Sequence, residues 1–161
     1  MRSIIIAAIS VLASSASLPA LAAGAGAGGM ANQQSTTNDP NYGAAKQMIE
    51  AKNYAGAMPL LQQVVAKDPK NADAYTLMGF ATRKSGDPNG SLQYYNTALN
   101  LDPKHIGAHE YVGEAYLQLD RLPEAEQHLA RLDSICVFGC AEYRDLKAAI
   151  ANYKACRKPT N

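Results

Sequence analysis

Net charge, long apolar runs and catalytic signatures are all missing from this chain of 161 residues, and each absence excludes something. The chain has 15 lysines and arginines against 14 aspartates and glutamates. Removing Arg2 with the leader described below makes the balance even. A nucleic-acid binder shows a basic excess on one face, and none is visible here. No helix sets a run of Lys and Arg opposite a wholly apolar face, so membrane-surface binding has no support. A membrane span needs about 20 apolar residues. The apolar stretch that starts at Ile4 is broken by Ser10, Ser14, Ser15, Ser17 and Pro19. No serine has a nucleophile-elbow context, and the zinc-protease helix motif is absent. Gly24 to Gly29 lacks the strand, helix and lysine of a phosphate cradle. Glu110 and Glu114 lie four apart, as paired carboxylates can, but they read better as the lining of an exposed groove. No catalytic residue, metal or cofactor is expected, and the chain reads as a non-enzyme.

The chain does carry a leader and a helical pattern. Met1-Arg2, the apolar run Ile4 to Leu12 and the small-x-small site Ala20-Leu21-Ala22 read as a secretory signal peptide over 1–22. No cysteine follows the cleavage site, which argues against lipid attachment. The mature protein is expected to be exported, to the bacterial periplasm, without membrane insertion. Residues 23–39, rich in Gly, Ala and uncharged polar residues, read as a flexible tether. Asp39-Pro40 and Asp87-Pro88 look like N-caps followed by proline at the first helical position. Asp68-Pro69 and Asp102-Pro103 close units, because the residue before proline is pushed out of the helical region. Helix pairs are expected at 40–52 with 55–67, 72–85 with 88–101, and 106–119 with 122–134, with a last helix over 141–155. Pro59 falls inside the second of these and should bend or delay it.

These segments share a ruler of 34 residues. Pro69 and Pro103 fall on it, as do Gly79 and Gly113. So do Ala57, Ser91 and Ala125; Leu61, Tyr95 and Leu129; and Val64, Ala98 and Leu132. A period of that length signals stacked helix–turn–helix units. The slots Tyr75, Met78-Gly79, Gly86, Tyr95, Ala98 and Pro103, and then Val112-Gly113, Tyr116, Ala125 and Leu129, resemble the tetratricopeptide repeat family over about 38–135. The resemblance implies an all-α, right-handed α-solenoid with three units over 40–135. A turn, a capping helix and a tail occupy 136–161. Gly79 and Gly113 should let the partner helix of each unit come close. Tyr143, Leu146, Ile150 and Tyr153 give the capping helix its apolar face.

In an exported protein the three cysteines favour a disulfide. A helix over 141–155 would hold Cys140 and Cys156 roughly 24 Å apart, so Cys136–Cys140 is the expected bridge. Cys156 is then free or pairs with another chain. The rival reading is a Cys-x3-Cys metal or thiol-redox site. His105, His109 and His128 are its nearest candidate ligand types, although His105 and His109 read as ordinary surface.

The family resemblance also implies that the first helix of each unit lines a groove for a protein or peptide partner. Its slots fall on Tyr42, Lys46, Ile49 and Glu50, then on Thr76, Phe80, Arg83 and Lys84. The third unit contributes Glu110, Glu114, Leu117 and Gln118. They give an apolar strip (Tyr42, Ile49, Phe80, Leu117), a basic centre and an acidic far end. The asparagines of the family's carboxylate clamp for chaperone tails are absent from the corresponding slots, Tyr42, Lys46, Thr76 and Phe80. The function expected is a non-catalytic interaction scaffold in the cell envelope, with self-association as a further reading.

Overall fold

The computed structural model describes residues 38–157, which fall within one compact unit. The expected leader, and the tether apart from Asn38 and Asp39, lie outside the described residues, as does the last part of the tail. Seven helices follow in order: α1 (Pro40–Glu50), α2 (Tyr54–Lys67), α3 (Ala72–Lys84), α4 (Pro88–Leu101), α5 (Ile106–Gln118), α6 (Leu122–Ile135) and α7 (Ala141–Cys156). Each packs on the next, and α1, α3, α5 and α7 also touch in that order. The result is an α-solenoid of three helix pairs and one capping helix. Because α7 meets α5 and α6 as α5 meets α3 and α4, it stands where the first helix of a fourth pair would be.

The 34-residue ruler extends into the turns. Lys52, Gly86 and Asp120 each follow the first helix of a pair, with φ of 60°, 98° and 60°. Their N–H groups reach back to the carbonyls of Ile49, Arg83 and Leu117. The next N–H in each turn bonds to Met48, Thr82 or Tyr116. This double bond pattern is a Schellman stop, which satisfies orphan carbonyls while reversing the chain. Of the three residues only Gly86 has no Cβ to strain in that conformation.

Between pairs the turns also match. The carboxylates of Asp68 and Asp102 accept from the N–H of Lys70 and Lys104, at 3.1 and 3.0 Å. Asn71 and His105 then cap α3 and α5 by accepting from Ala74 and Ala108. Thirty-four residues beyond Asp102 stands Cys136, bonded to Cys140 with Cα atoms 5.6 Å apart. This is the expected bridge, and Cys156 is free and exposed at the end of α7. The bridged loop holds Val137 and Phe138 out in solvent.

Packing explains the small-residue slots. Ala57, Ser91 and Ala125 are fully buried, as are Ala45 and the larger Leu61, Tyr95 and Leu132. A Cβ on Gly79 would come within 2.6 Å of the buried Tyr95 ring in α4, its partner helix, as expected. Gly113 departs from that pattern. Its Cβ would meet Leu146 of α7 at 2.6 Å, so this glycine admits the capping helix and not α6. Pro59 does not delay α2, which starts at Tyr54. Ala55 and Pro59 are both exposed, so water reaches the carbonyl that loses its donor.

Two substitutions test this reading by urea denaturation. Gly79→Ala should cost about 1–3 kcal/mol through overpacking against Tyr95. Lys52→Gly should stabilise by about 0.5–1 kcal/mol by relieving left-handed strain. Equal effects of the two would show that neither position has the environment described.

Candidate functional site

The face formed by α1, α3, α5 and α7 gathers the expected groove residues, but not all of them reach its surface. Tyr42, Thr76 and Leu117 are buried in packing, at 8%, 3% and 8% exposure. The expected apolar strip is therefore reduced to Ile49 and Phe80, because neighbouring helices cover its ends. Lys46, Glu50, Lys84 and Gln118 are exposed, and Ile49, Phe80 and Glu114 are half-buried.

Phe80 is the centre of an aromatic cluster. Its ring lies 4.9 Å from that of Tyr111 on α5 and 6.3 Å, edge-on, from that of Tyr54 on α2. The Lys84 ammonium stands 5.4 Å from its centroid and the Arg83 guanidinium 5.5 Å. Such rings with cations over them form an adhesive surface with a polar rim.

Arg83 is not the free basic centre that the sequence suggests. Only 1% of its side chain is exposed. Nε donates to the Tyr95 hydroxyl at 3.4 Å, and Nη2 lies 2.6 Å from Glu114 Oε2. That second contact is an ion pair whose N–H bonds point off the line to the oxygen. Arg83 thus ties α3, α4 and α5 together, and its charge is spent inside the protein. The exposed basic charge on this face comes from Lys46 and Lys84.

The acidic end is larger than expected. Glu110 is 9% exposed, not the open groove lining its spacing suggested. Burial, and then Glu114, Asp145 and Glu142, push its carboxyl up to about 7, while Arg83 pulls the other way. Glu142 and Asp145 belong to α7, outside the three units, so slot-by-slot transfer missed them. Tyr54 and Tyr111 were missed because both lie outside the groove slots.

The histidines are structural. His105 precedes α5, where Nδ1 caps the helix and Nε2 lies 3.0 Å from Asp73 Oδ1. His109 is buried, correcting its surface reading: Nε2 faces the Pro103 carbonyl at 3.1 Å, and Nδ1 lies 2.9 Å from His128 Nδ1. A carbonyl accepts only, so His109 carries its proton on Nε2 and His128 donates from Nδ1. Burial and His109 hold His128 down to about 4. Among the described residues, no three His, Cys, Asp or Glu side chains converge as a metal site. The bridged Cys136 and Cys140 present no thiolate.

A model of the tetratricopeptide repeat family matches residues 82–150. Over those residues the chain is similar to that family. Among curated proteins none matches the chain. Among solved structures, the helical array is similar to MamA from Desulfovibrio magneticus RS-1 (27% identity, TM-score 0.56). That match covers 59% of this chain and 54% of the other, so the chain spans about half the length of MamA. The type III secretion translocator chaperone SycD of Yersinia enterocolitica aligns with 17% identity and a TM-score of 0.66, over 80% of this chain and 99% of that one. PcrH, in complex with the chaperone binding region of PopD, aligns with 18% identity and a TM-score of 0.66, over 79% and 98%. At those identities SycD and PcrH share the fold.

The buried carboxyl predicts a pH effect. Folding raises the pKa of Glu110, so the stability present below about pH 4.5 is lost as pH rises through about 7. His109 and His128, both lowered, act in the opposite sense and lose stability as pH falls below 6.5. Glu110→Gln isolates the first effect: its Tm relative to the native chain should rise steadily between about pH 4.5 and pH 7.5. A pH-independent difference would mean that Glu110 is not held protonated by the fold.

Proposed function

We propose that this chain is a non-catalytic adaptor that captures a protein or peptide segment on the face of its first helices, in the cell envelope after export. The aromatic cluster carries the reading. Phe80 is a large apolar side chain left half-exposed between Tyr54 and Tyr111, where a partner residue would complete its burial. Interfaces of this kind combine a few aromatic anchors with a polar rim, here Lys46, Glu50, Lys84 and Gln118. The fold agrees: PcrH holds a region of PopD, and the first tetratricopeptide domain of Spaghetti (RPAP3), 18% identical with a TM-score of 0.66, is bound to an HSP90 peptide. That match covers 75% of this chain and 98% of the other. Export rests on the leader at residues 1–22, and fractionation of cells producing the full chain tests it.

Crosslinking in intact cells, followed by recovery of the chain, tests capture. Phe80→Ala should lower partner recovery about tenfold, the scale of a hot-spot truncation. Lys84→Glu should lower it less, with helicity by circular dichroism unchanged in both. Arg83→Glu is a poor probe, since it would bury a second carboxylate beside Glu114 and disturb folding itself. Unaltered recovery with both Phe80→Ala and Lys84→Glu would move the site elsewhere. A crosslinked product made of two copies would mark self-association as the function of this face.

A further inference from the structure

The ruler of 34 residues changes chemistry at one pair of positions. The second unit carries Tyr75 on α3 and Tyr94 on α4, both half-buried. The third unit carries His109 on α5 and His128 on α6 in their place. Histidine is the side chain whose charge changes between pH 5 and 8.

The contact these rings make has no room for two charges. Their Nδ1 atoms lie 2.9 Å apart, and His109 Nε2 donates to the Pro103 carbonyl at 3.1 Å. One Nδ1 must therefore donate and the other accept. A first extra proton fits on His128 Nε2, but a second sets two N–H groups and two positive charges against each other. The surroundings oppose even the first. Burial holds His109 down, and burial, then His109, then Arg131 on α6 hold His128 down to about 4. Arg131 and His105, the residue before α5, also lower His109, while the Pro103 carbonyl and Asp102 at the end of α4 act against them. Tyr116 on α5 stacks on the His128 ring, and Arg121, paired with Glu124, lies over Tyr116. Helices α3 and α7 supply none of these groups.

We propose that His109 and His128 form an acid-operated latch: as a neutral pair they close α6 against α5, and on gaining protons they part these helices while the first two units stay folded. Opening uncovers the core that Leu117 on α5 shares with Ala125 and Leu132 on α6. It is confined to the third unit because the matching positions hold Tyr75 and Tyr94 in the second and Asn41 and Leu60 in the first. Both rings take protons more readily once apart, so the joint is fully held above pH 6.5 and weakens as pH falls toward 4. The latch stands whether or not the first-helix face is an adaptor site.

Hydrogen exchange on the full chain, read by mass spectrometry and corrected for the intrinsic rate, tests this at about pH 7.5 and about pH 5.5. Both values lie above the ordinary carboxylate range, so the ion pairs are left intact. Every chain compared carries Glu110→Gln, because Glu110, beside His109 on α5, responds to pH in the opposite sense. Protection of α5 and α6 should fall at least about tenfold between the two values, while that of α1 and α2 holds. His109→Tyr with His128→Tyr, which installs the second unit's pair, should abolish the fall. His128→Asn keeps a donor toward His109 Nδ1 but cannot charge, and should shrink it. His105 is common to all these chains, so its own titration cancels. The latch is overturned if α5 and α6 are equally protected at both pH values, if α1 and α2 lose protection to the same extent, or if either variant keeps the whole fall.

Discussion

How closely two helices can lie decides how much core a pair of them possesses, and here closeness is set by side chains that are missing. A lone helix pair is too thin to bury both faces, so its stability depends on the next pair. Ala45, Gly79 and Gly113 in the first helices, and Ala57, Ser91 and Ala125 in the second, are the slots where backbones approach. Larger residues then fill what the approach leaves open: the Tyr95 ring occupies the space that Gly79 vacates and packs with Val112 and Ala115 of the next pair. One slot thus serves both the contact within a pair and the contact between pairs. The same logic caps the array. Leu146 enters at Gly113, so α7 docks on a site the repeat has already made.

The first-helix face inherits its chemistry from that packing. Arg83 faces the same side as Phe80, yet its charge is drawn inward by Glu114 and the Tyr95 hydroxyl. Removing Glu114 would leave the buried Arg83 guanidinium without its counter-charge, which costs about 3–5 kcal/mol. Arg83 is thus a fixed post between α3, α4 and α5, and it holds Phe80 and Tyr111 together beneath its guanidinium. A rigid aromatic anchor loses little entropy when it binds, which favours capture without reorganisation.

Periodicity carried the fold because a 34-residue repeat encodes contacts that recur within each unit. The helix pairs, the Asp-Pro stops at 68 and 102, the buried small residues and the capping helix were all legible in the sequence. The contacts it hid depend on how one unit rotates against the next, which no repeat period specifies. That rotation buries Tyr42 and Leu117 and brings Glu110 within the influence of α7. The His109–His128 contact lies within the third pair, between α5 and α6, at positions outside the slots that the units share. The left-handed turns at Lys52 and Asp120 were hidden for another reason. A Schellman stop prefers glycine but does not demand it, so two of three matching turns carry no glycine signal. Of the candidate site, Phe80 and Lys84 were readable from family slots, whereas Tyr54, Tyr111, Glu142 and Asp145 lie outside those slots.

The disulfide follows from the same ruler. Asp68 and Asp102 close their units with a carboxylate that ties down the next turn, and the slot after them holds Cys136. The third turn has neither the aspartate nor the following proline, and α7 begins one residue late with no side-chain cap. A covalent clip replaces the lost hydrogen bonds there. Closing so short a loop removes about 2 kcal/mol of unfolded-state entropy at most. Its larger effect is directional. It fixes the angle at which α7 leaves α6, and with it the approach of Leu146 to Gly113 and of Glu142 and Asp145 to Glu110. Farther along, Tyr153 and Arg157 reach back to Asp120, and Lys154 reaches Glu126 at 2.6 Å. These exposed contacts add little energy individually. They hold the far end of α7, while the bridge holds the near end, so Glu142 and Asp145 are positioned by the cap and not by the repeats.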